Sequence, residues 1–167
     1  MKNQPYNVLF ICSGNSARSV MAEALLSNLG TGRFRAYSAG SFPAGRINPF
    51  ALDLLSSKGF PTSGLRSKSW DEFAAKDAPQ MDFIFTVCDN AAGETCPIWP
   101  GHPATAHWGF EDPAAHPGPD VEKRRMFEKI FLEITARIRL LLALPLETLD
   151  RMSLLNELRA IGSAKRA

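Results

Sequence analysis

The chain has 167 residues, 45% of them hydrophobic and 22% charged, with a formal net charge of +2. That is enough apolar chain for a full core, and the scattered Lys and Arg residues argue against a nucleic-acid partner. No apolar run approaches the ~18 residues of a membrane span, residues 1–6 lack a signal-peptide pattern, and three cysteines suit thiol chemistry better than a disulfide framework.

A cytoplasmic protein of one domain, 1–167, is therefore expected, with a core at about 7–143 and a helical extension at about 145–162. Val8, Leu9, Phe10 and Ile11 form a short apolar run of the kind buried on both faces in a parallel sheet. Ser13, Gly14, Asn15, Ser16 and Ala17 follow, small or turn-prone, so the backbone can curl and aim several N–H groups at one point. Met21, Ala24 and Leu25 then mark one face of a helix that Gly30 closes, and the positive end of its dipole aims at the same point. Together with Arg18 this makes a seat for a tetrahedral oxyanion. Cys12, at the front of the loop, is expected as a thiolate nucleophile, with Arg18 gripping equatorial oxygens and Ser19 donating to the leaving sulfur. The plainer alternative is a structural cysteine after a core strand.

Cys12 to Ser19, Cys-Ser-Gly-Asn-Ser-Ala-Arg-Ser, resembles the phosphate loop of the low-molecular-weight protein tyrosine phosphatases and of the arsenate reductases that share their fold. Both families imply Cys12 as nucleophile. The loop alone does not choose between them.

Arg33 to Ala39 reads as a second strand ending in the small-residue turn Ser38-Ala39-Gly40. Asn48 before Pro49 is a cap followed by a first helical position, and Phe50, Leu54 and Leu55 give that helix its apolar face up to Lys58 and Gly59. Trp70 and Phe73 anchor a short helix in a polar stretch. Met81 to Val87 is a third apolar strand, and it delivers Cys88. This alternation predicts an α/β fold, a three-layer α/β/α arrangement with a four-stranded parallel sheet, whose ligands bind beyond the C-terminal strand ends. Cys12 and Cys88 both stand at such ends.

Cys96 follows Cys88 after small, turn-favouring residues, so a thiol relay is available: Cys88 attacks a Cys12 adduct and Cys96 then attacks Cys88. Competing readings are a metal site with His102 or His107, two unrelated buried cysteines, and a regulatory disulfide guarding a phosphatase. Ala104 to Phe110 reads as the fourth strand, with His107 structural. Asp112, before Pro113, is placed to give a proton to a leaving oxygen or to cap a turn. From Asp120, Phe127, Ile130, Phe131, Ile134, Ile138 and Leu141 recur at helical spacing until Pro145. Leu149, Met152, Leu155, Leu158 and Ile161 mark a last amphipathic helix.

The segment from Thr86 to Pro97, with His107 to Pro113, is similar to the phosphatase-related arsenate reductases, and the resemblance runs over roughly residues 7–140. It implies that Cys12 attacks arsenate, Cys88 resolves the adduct with release of arsenite, and Cys96 takes over the disulfide for reduction by thioredoxin or, alternatively, by glutaredoxin with glutathione. Some such relatives hold a potassium ion with groups matching Asn15 and Glu23 and an acid near Ser69; here Trp70 stands in the acid's place. No metal, cofactor, nucleic acid or membrane is expected. A tyrosine phosphatase, or a non-catalytic oxyanion-binding or redox-sensing protein, is the alternative.

Overall fold

Successive strand residues point to opposite faces, so a strand with consecutive residues at 0% exposure is covered on both. Val8, Leu9, Phe10 and Ile11 are such a run. They lie in β1 (Tyr6–Ile11) of a computed structural model that describes residues 4–88 and 99–163. With β2 (Phe34–Ala39), β3 (Phe83–Thr86) and β4 (Ala104–His107) they form one parallel sheet in the order β2-β1-β3-β4.

The predicted strands are present with shifted ends. β1 starts two residues before the apolar run because Tyr6 pairs with Phe34. β4 stops at His107 rather than Phe110 because its partner β3 ends at Thr86, and a ladder extends only as far as both strands do. Beyond it, Trp108 stacks on Phe85 at 4.0 Å, and Phe85 on Phe10 at 5.7 Å. Each such pair adds about 1 kcal/mol to its burial.

Helix α1 (Arg18–Leu29) buries Val20, Met21, Ala24 and Leu25, and packs on β1 and β2. It ends where the Gly30 N–H bonds the Leu26 carbonyl. Helix α2 (Pro49–Ser57) starts as predicted, with Asn48 Oδ1 accepting the Phe50 N–H at 2.9 Å. The short α3 (Asp71–Ala74) is anchored by buried Trp70 and Phe73, the latter against the Tyr37 ring. Helix α4 (Asp120–Leu142) buries the whole predicted stripe and packs against α1 and α2.

Helix α5 (Arg151–Gly162) is capped by Asp150 and buries Leu158 and Ile161 beside β4. The Leu158 carbonyl accepts the Trp108 indole N–H at 3.0 Å. Met152, expected on the apolar face, is 75% exposed, because the helix meets the sheet with its last turns and Met152 is in its first. Among the described residues no helix is long and apolar enough to cross a membrane.

The strand order decides where a site can form. From β1 the chain passes to β2 on one side and then returns to β3 on the other, so the connections diverge at the C-terminal ends of β1 and β3. Such a switch point leaves a crevice. Cys12 and Cys88 are the residues that flank it.

Candidate active site

The loop after β1 is shaped from outside. The carbonyls of Ser13, Gly14 and Ser16 each accept a backbone N–H at 2.9 Å, from Phe42, Ala44 and Asn48. A trans peptide points its N–H opposite to its C=O, so the amides of Gly14, Asn15 and Ala17 face away from that segment, toward the concave side of the loop. No side chain caps the start of α1 and its first turn has no acid, which leaves the helix N-terminus open to an anion.

Asn15 is the strained residue of the loop, at φ 45 in the left-handed region that few non-glycine residues adopt. Its side chain, fully buried, holds it there. Nδ2 donates to Ser19 Oγ at 2.9 Å and to Ser38 Oγ at 3.0 Å, and Oδ1 accepts the Lys68 N–H at 2.8 Å. Asn15 therefore offers the pocket its main chain, and its side chain faces the interior. Ser19 is also buried, and accepting from Asn15 leaves its own O–H as a donor.

Behind Asn15 lies a polar chain. Ser38 Oγ donates to Glu23 Oε1 at 2.5 Å, and Lys68 Nζ stands 3.9 Å from the same oxygen while donating to the Arg66 carbonyl at 2.8 Å. Burial pushes the Glu23 carboxyl up, against the opposing pull of Ser38 and Lys68; burial likewise pushes the Lys68 amine down, against Glu23. A potassium ion gathered around Asn15 and Glu23 does not fit these residues. Asn15 Oδ1 is taken by Lys68 N–H, and Lys68 already sets an ammonium beside Glu23.

The two strand-end cysteines meet. Ile11 pairs with Thr86 and the Val87 N–H bonds the Ile11 carbonyl, so Cys12 and Cys88 leave adjacent strands at one level. Both are buried and neither is in a disulfide. The Ser13 N–H donates to Cys88 Sγ at 3.3 Å, with Ser13 Oγ 3.7 Å from the same sulfur.

This contact works against the expected Cys12 thiolate. Hydrogen bonding to Cys88 and, next, burial push the Cys12 thiol well above the ordinary thiol range, and the Arg18 guanidinium and the Ser13 amide only partly offset them. The physical reason is that two thiols share one dry site while Arg18 is engaged elsewhere. Its Nη1 donates to the Phe110 carbonyl at 2.9 Å, and its Nη2 lies 3.7 Å from Asp112 Oδ2.

Asp112 makes the expected turn cap and also faces Arg18. Oδ1 accepts the Ala114 N–H at 3.0 Å and caps the 3-10 turn Pro113–Ala115, while Oδ2 faces Arg18. The segment that carries it is held from α4: Arg137 donates to the Gly109 carbonyl at 3.0 Å and lies over the Phe110 ring at 4.5 Å. His107 Nδ1 is 2.8 Å from Thr86 Oγ1, a contact between neighbouring strands. Cys96, and with it the Cys88–Cys96 pair, lies outside the described residues. Among those residues no cluster of metal-ligating side chains occurs.

Sequence reasoning did not single out Ser38, Gly40 or Lys68 as parts of the site. Gly40 lies against the loop so closely that a Cβ there would stand 2.5 Å from the Ser13 carbonyl oxygen and 2.8 Å from that of Cys12. A glycine after a strand marks a turn equally well, and a single lysine in a polar stretch carries no periodic signal.

The sequence matches the family of low molecular weight phosphotyrosine protein phosphatases over residues 7–154. It is 36% identical to the arsenate reductase of Shouchella clausii over 132 residues, 79% of this chain and 91% of that one. An arsenate reductase solved in its phosphate-binding state superposes with a TM-score of 0.66 at 27% identity, covering 83% of this chain and 97% of the other. The thioredoxin-dependent arsenate reductase of Corynebacterium glutamicum gives a TM-score of 0.59 at 28% identity; the match covers 85% of this chain and spans 62% of that one. Sheet order, phosphate-type loop and these relatives agree: the chain belongs to the low molecular weight phosphotyrosine protein phosphatase family, among its arsenate reductase-like members.

Proposed function

We propose that the protein reduces arsenate to arsenite through a three-cysteine relay. The observation that carries this is Cys88: its sulfur sits on the Ser13 amide and against the Cys12 thiol. Phosphoryl transfer through one cysteine does not require a second thiol there. A two-electron reduction does.

Arsenate settles on the loop amides, drawing Arg18 from the Phe110 carbonyl to its oxygens, and takes over the Ser13 donor from Cys88. With Cys88 displaced, the largest upward influence on the Cys12 thiol is gone, and Arg18 beside it favours the thiolate. Cys12 attacks arsenic, an As–S bond forms, and hydroxide leaves as water with a proton from Asp112. The Cys88 thiolate then attacks Cys12 Sγ. The As–S bond breaks with its electron pair going to arsenic, so arsenite departs and a Cys12–Cys88 disulfide remains. Cys96 attacks Cys88 Sγ, freeing Cys12 as the leaving thiolate toward which Ser19 donates, and an external dithiol reduces Cys88–Cys96.

Thioredoxin is the proposed reductant, a reading supported by the Corynebacterium relative; glutaredoxin with glutathione is the competing one. Such a relay needs a reducing compartment, and the cytoplasm is the one proposed. Purified protein with arsenate, thioredoxin, thioredoxin reductase and NADPH should consume NADPH in proportion to arsenate. Absence of turnover there and with glutathione and glutaredoxin, alongside brisk aryl phosphate hydrolysis indifferent to Cys88→Ala, would replace the reductase by a phosphatase.

A further inference from the structure

We propose that Lys68 is a built-in cation that positions the oxyanion loop from behind and makes the site independent of potassium. The inference rests on the 12–18 loop being the oxyanion site. It starts from the reach of one residue: Lys68 touches the loop through its main chain and the loop's support through its side chain.

The main chain of Lys68 is clamped. Its carbonyl accepts the Gly40 N–H at 2.9 Å, and its N–H holds Asn15 Oδ1 at 2.8 Å. Its side chain, 8% exposed, runs inward to place Nζ 3.9 Å from Glu23 Oε1, with the Arg66 carbonyl 2.8 Å away on the same ammonium. Glu23 lies four residues after Ser19 on α1, so Ser19 and Glu23 share a helix face. From Glu23 the order runs through Ser38 Oγ to Asn15 Nδ2, whose second partner is Ser19 Oγ. The circuit from Lys68 back to Lys68 passes through the one loop residue in the left-handed conformation.

The ammonium sets the direction of these bonds. While Glu23 is a carboxylate it only accepts, so Ser38 donates to it and Ser38 Oγ is left to accept from Asn15. Without the ammonium a carboxylate this far withdrawn from water would more readily take up a proton and could donate to Ser38, and the circuit would lose its fixed sense. The other charges bearing on Glu23 and Lys68 are Arg66 and Glu72, which are exposed and paired with each other at 2.6 Å. Lys68 is therefore the counter-charge that faces Glu23 directly. A cavity of about 400 Å³ lined by Glu23, Ala24, Ser27, Pro61 and Leu65 opens the half-buried carboxylate to small solutes.

The test uses the reduced full-length protein, with phosphate affinity and thermal midpoint as readouts, in potassium chloride and in tetramethylammonium chloride at equal ionic strength. Wild type should bind phosphate equally in both salts. Lys68→Met should weaken phosphate by roughly tenfold, the scale of coupling within one hydrogen-bonded network. Glu23→Gln added to Lys68→Met should recover most of that loss, because no charge is then left unpaired. In Lys68→Ala, potassium or methylammonium should restore phosphate affinity and raise the thermal midpoint where tetramethylammonium does not. Wild-type affinity in Lys68→Met, a double variant no better than the single one, or a potassium-dependent wild type would each overturn the inference. A wild type that binds no phosphate would overturn the loop reading and this inference with it.

Discussion

The Ser13 amide and the Cys88 sulfur stand 3.3 Å apart, so the second thiol of the relay rests on a donor of the oxyanion loop. In the proposed relay, oxyanion and Cys88 compete for this one N–H, and substrate binding uncovers Cys12. The Cys88 thiol, held there, also pushes the Cys12 thiol up, while the Ser13 amide pulls it down.

That competition is measurable as reactivity against pH. Because its thiol is pushed up by Cys88 and burial, the thiolate fraction of Cys12 is small at neutral pH and alkylation should climb into the alkaline range. Removing Cys88 deletes the largest upward influence, so the profile of Cys88→Ala should move to lower pH, with iodoacetamide modifying Cys12 about tenfold faster near neutrality. Superimposable profiles would show that the Cys12–Cys88 contact does not govern the thiol.

Arg18→Lys should cost at least ~100-fold in arsenate turnover, the scale of one strong transition-state contact, because an ammonium cannot grip two oxygens in a plane. Arg18 now holds the Phe110 carbonyl, a job lysine can share, so the circular dichroism spectrum should stay that of wild type. Turnover within about threefold of wild type would remove Arg18 from the site.

The order of thiols can be read by peptide mapping after one turnover. Wild type should hold Cys88–Cys96, Cys96→Ser should stop at Cys12–Cys88, and Cys12→Ser should release no arsenite. A Cys12–Cys96 pair in wild type would require a different relay.

Gly40→Ala tests the close approach of β2 to the loop. Alanine at a glycine of ordinary φ is worth ~0.4–1 kcal/mol through the unfolded chain. Here the new methyl would meet carbonyl oxygens of Ser13 at 2.5 Å and Cys12 at 2.8 Å, overlaps that force the loop outward. Phosphate binding, followed by titration calorimetry, should weaken at least ~10-fold, an overpacking cost of 1–3 kcal/mol expressed at the loop. Undiminished binding would mean that the loop tolerates displacement.

The sequence by itself determined the strand-loop-helix unit at Val8 to Leu29, because a both-faces-buried strand, turn residues and an amphipathic helix are local patterns. The same holds for the Asn48-Pro49 start of α2 and the α4 stripe, both of which need only neighbours within a few residues. It also placed Cys12 and Cys88 at strand ends, which follows from the alternation of elements. Their contact was decided by the sheet order β2-β1-β3-β4, since only the pairing of β1 with β3 sets the two ends side by side. The protonation of Cys12 was likewise a tertiary matter: the loop and helix next to it in sequence favour the thiolate, and a thiol 76 positions away opposes them. Lys68 was invisible for the same reason. Its importance comes from a carboxylate on α1 and an amide in the loop, both distant in sequence, and burial is what turns those weak polar contacts into a single positioned site.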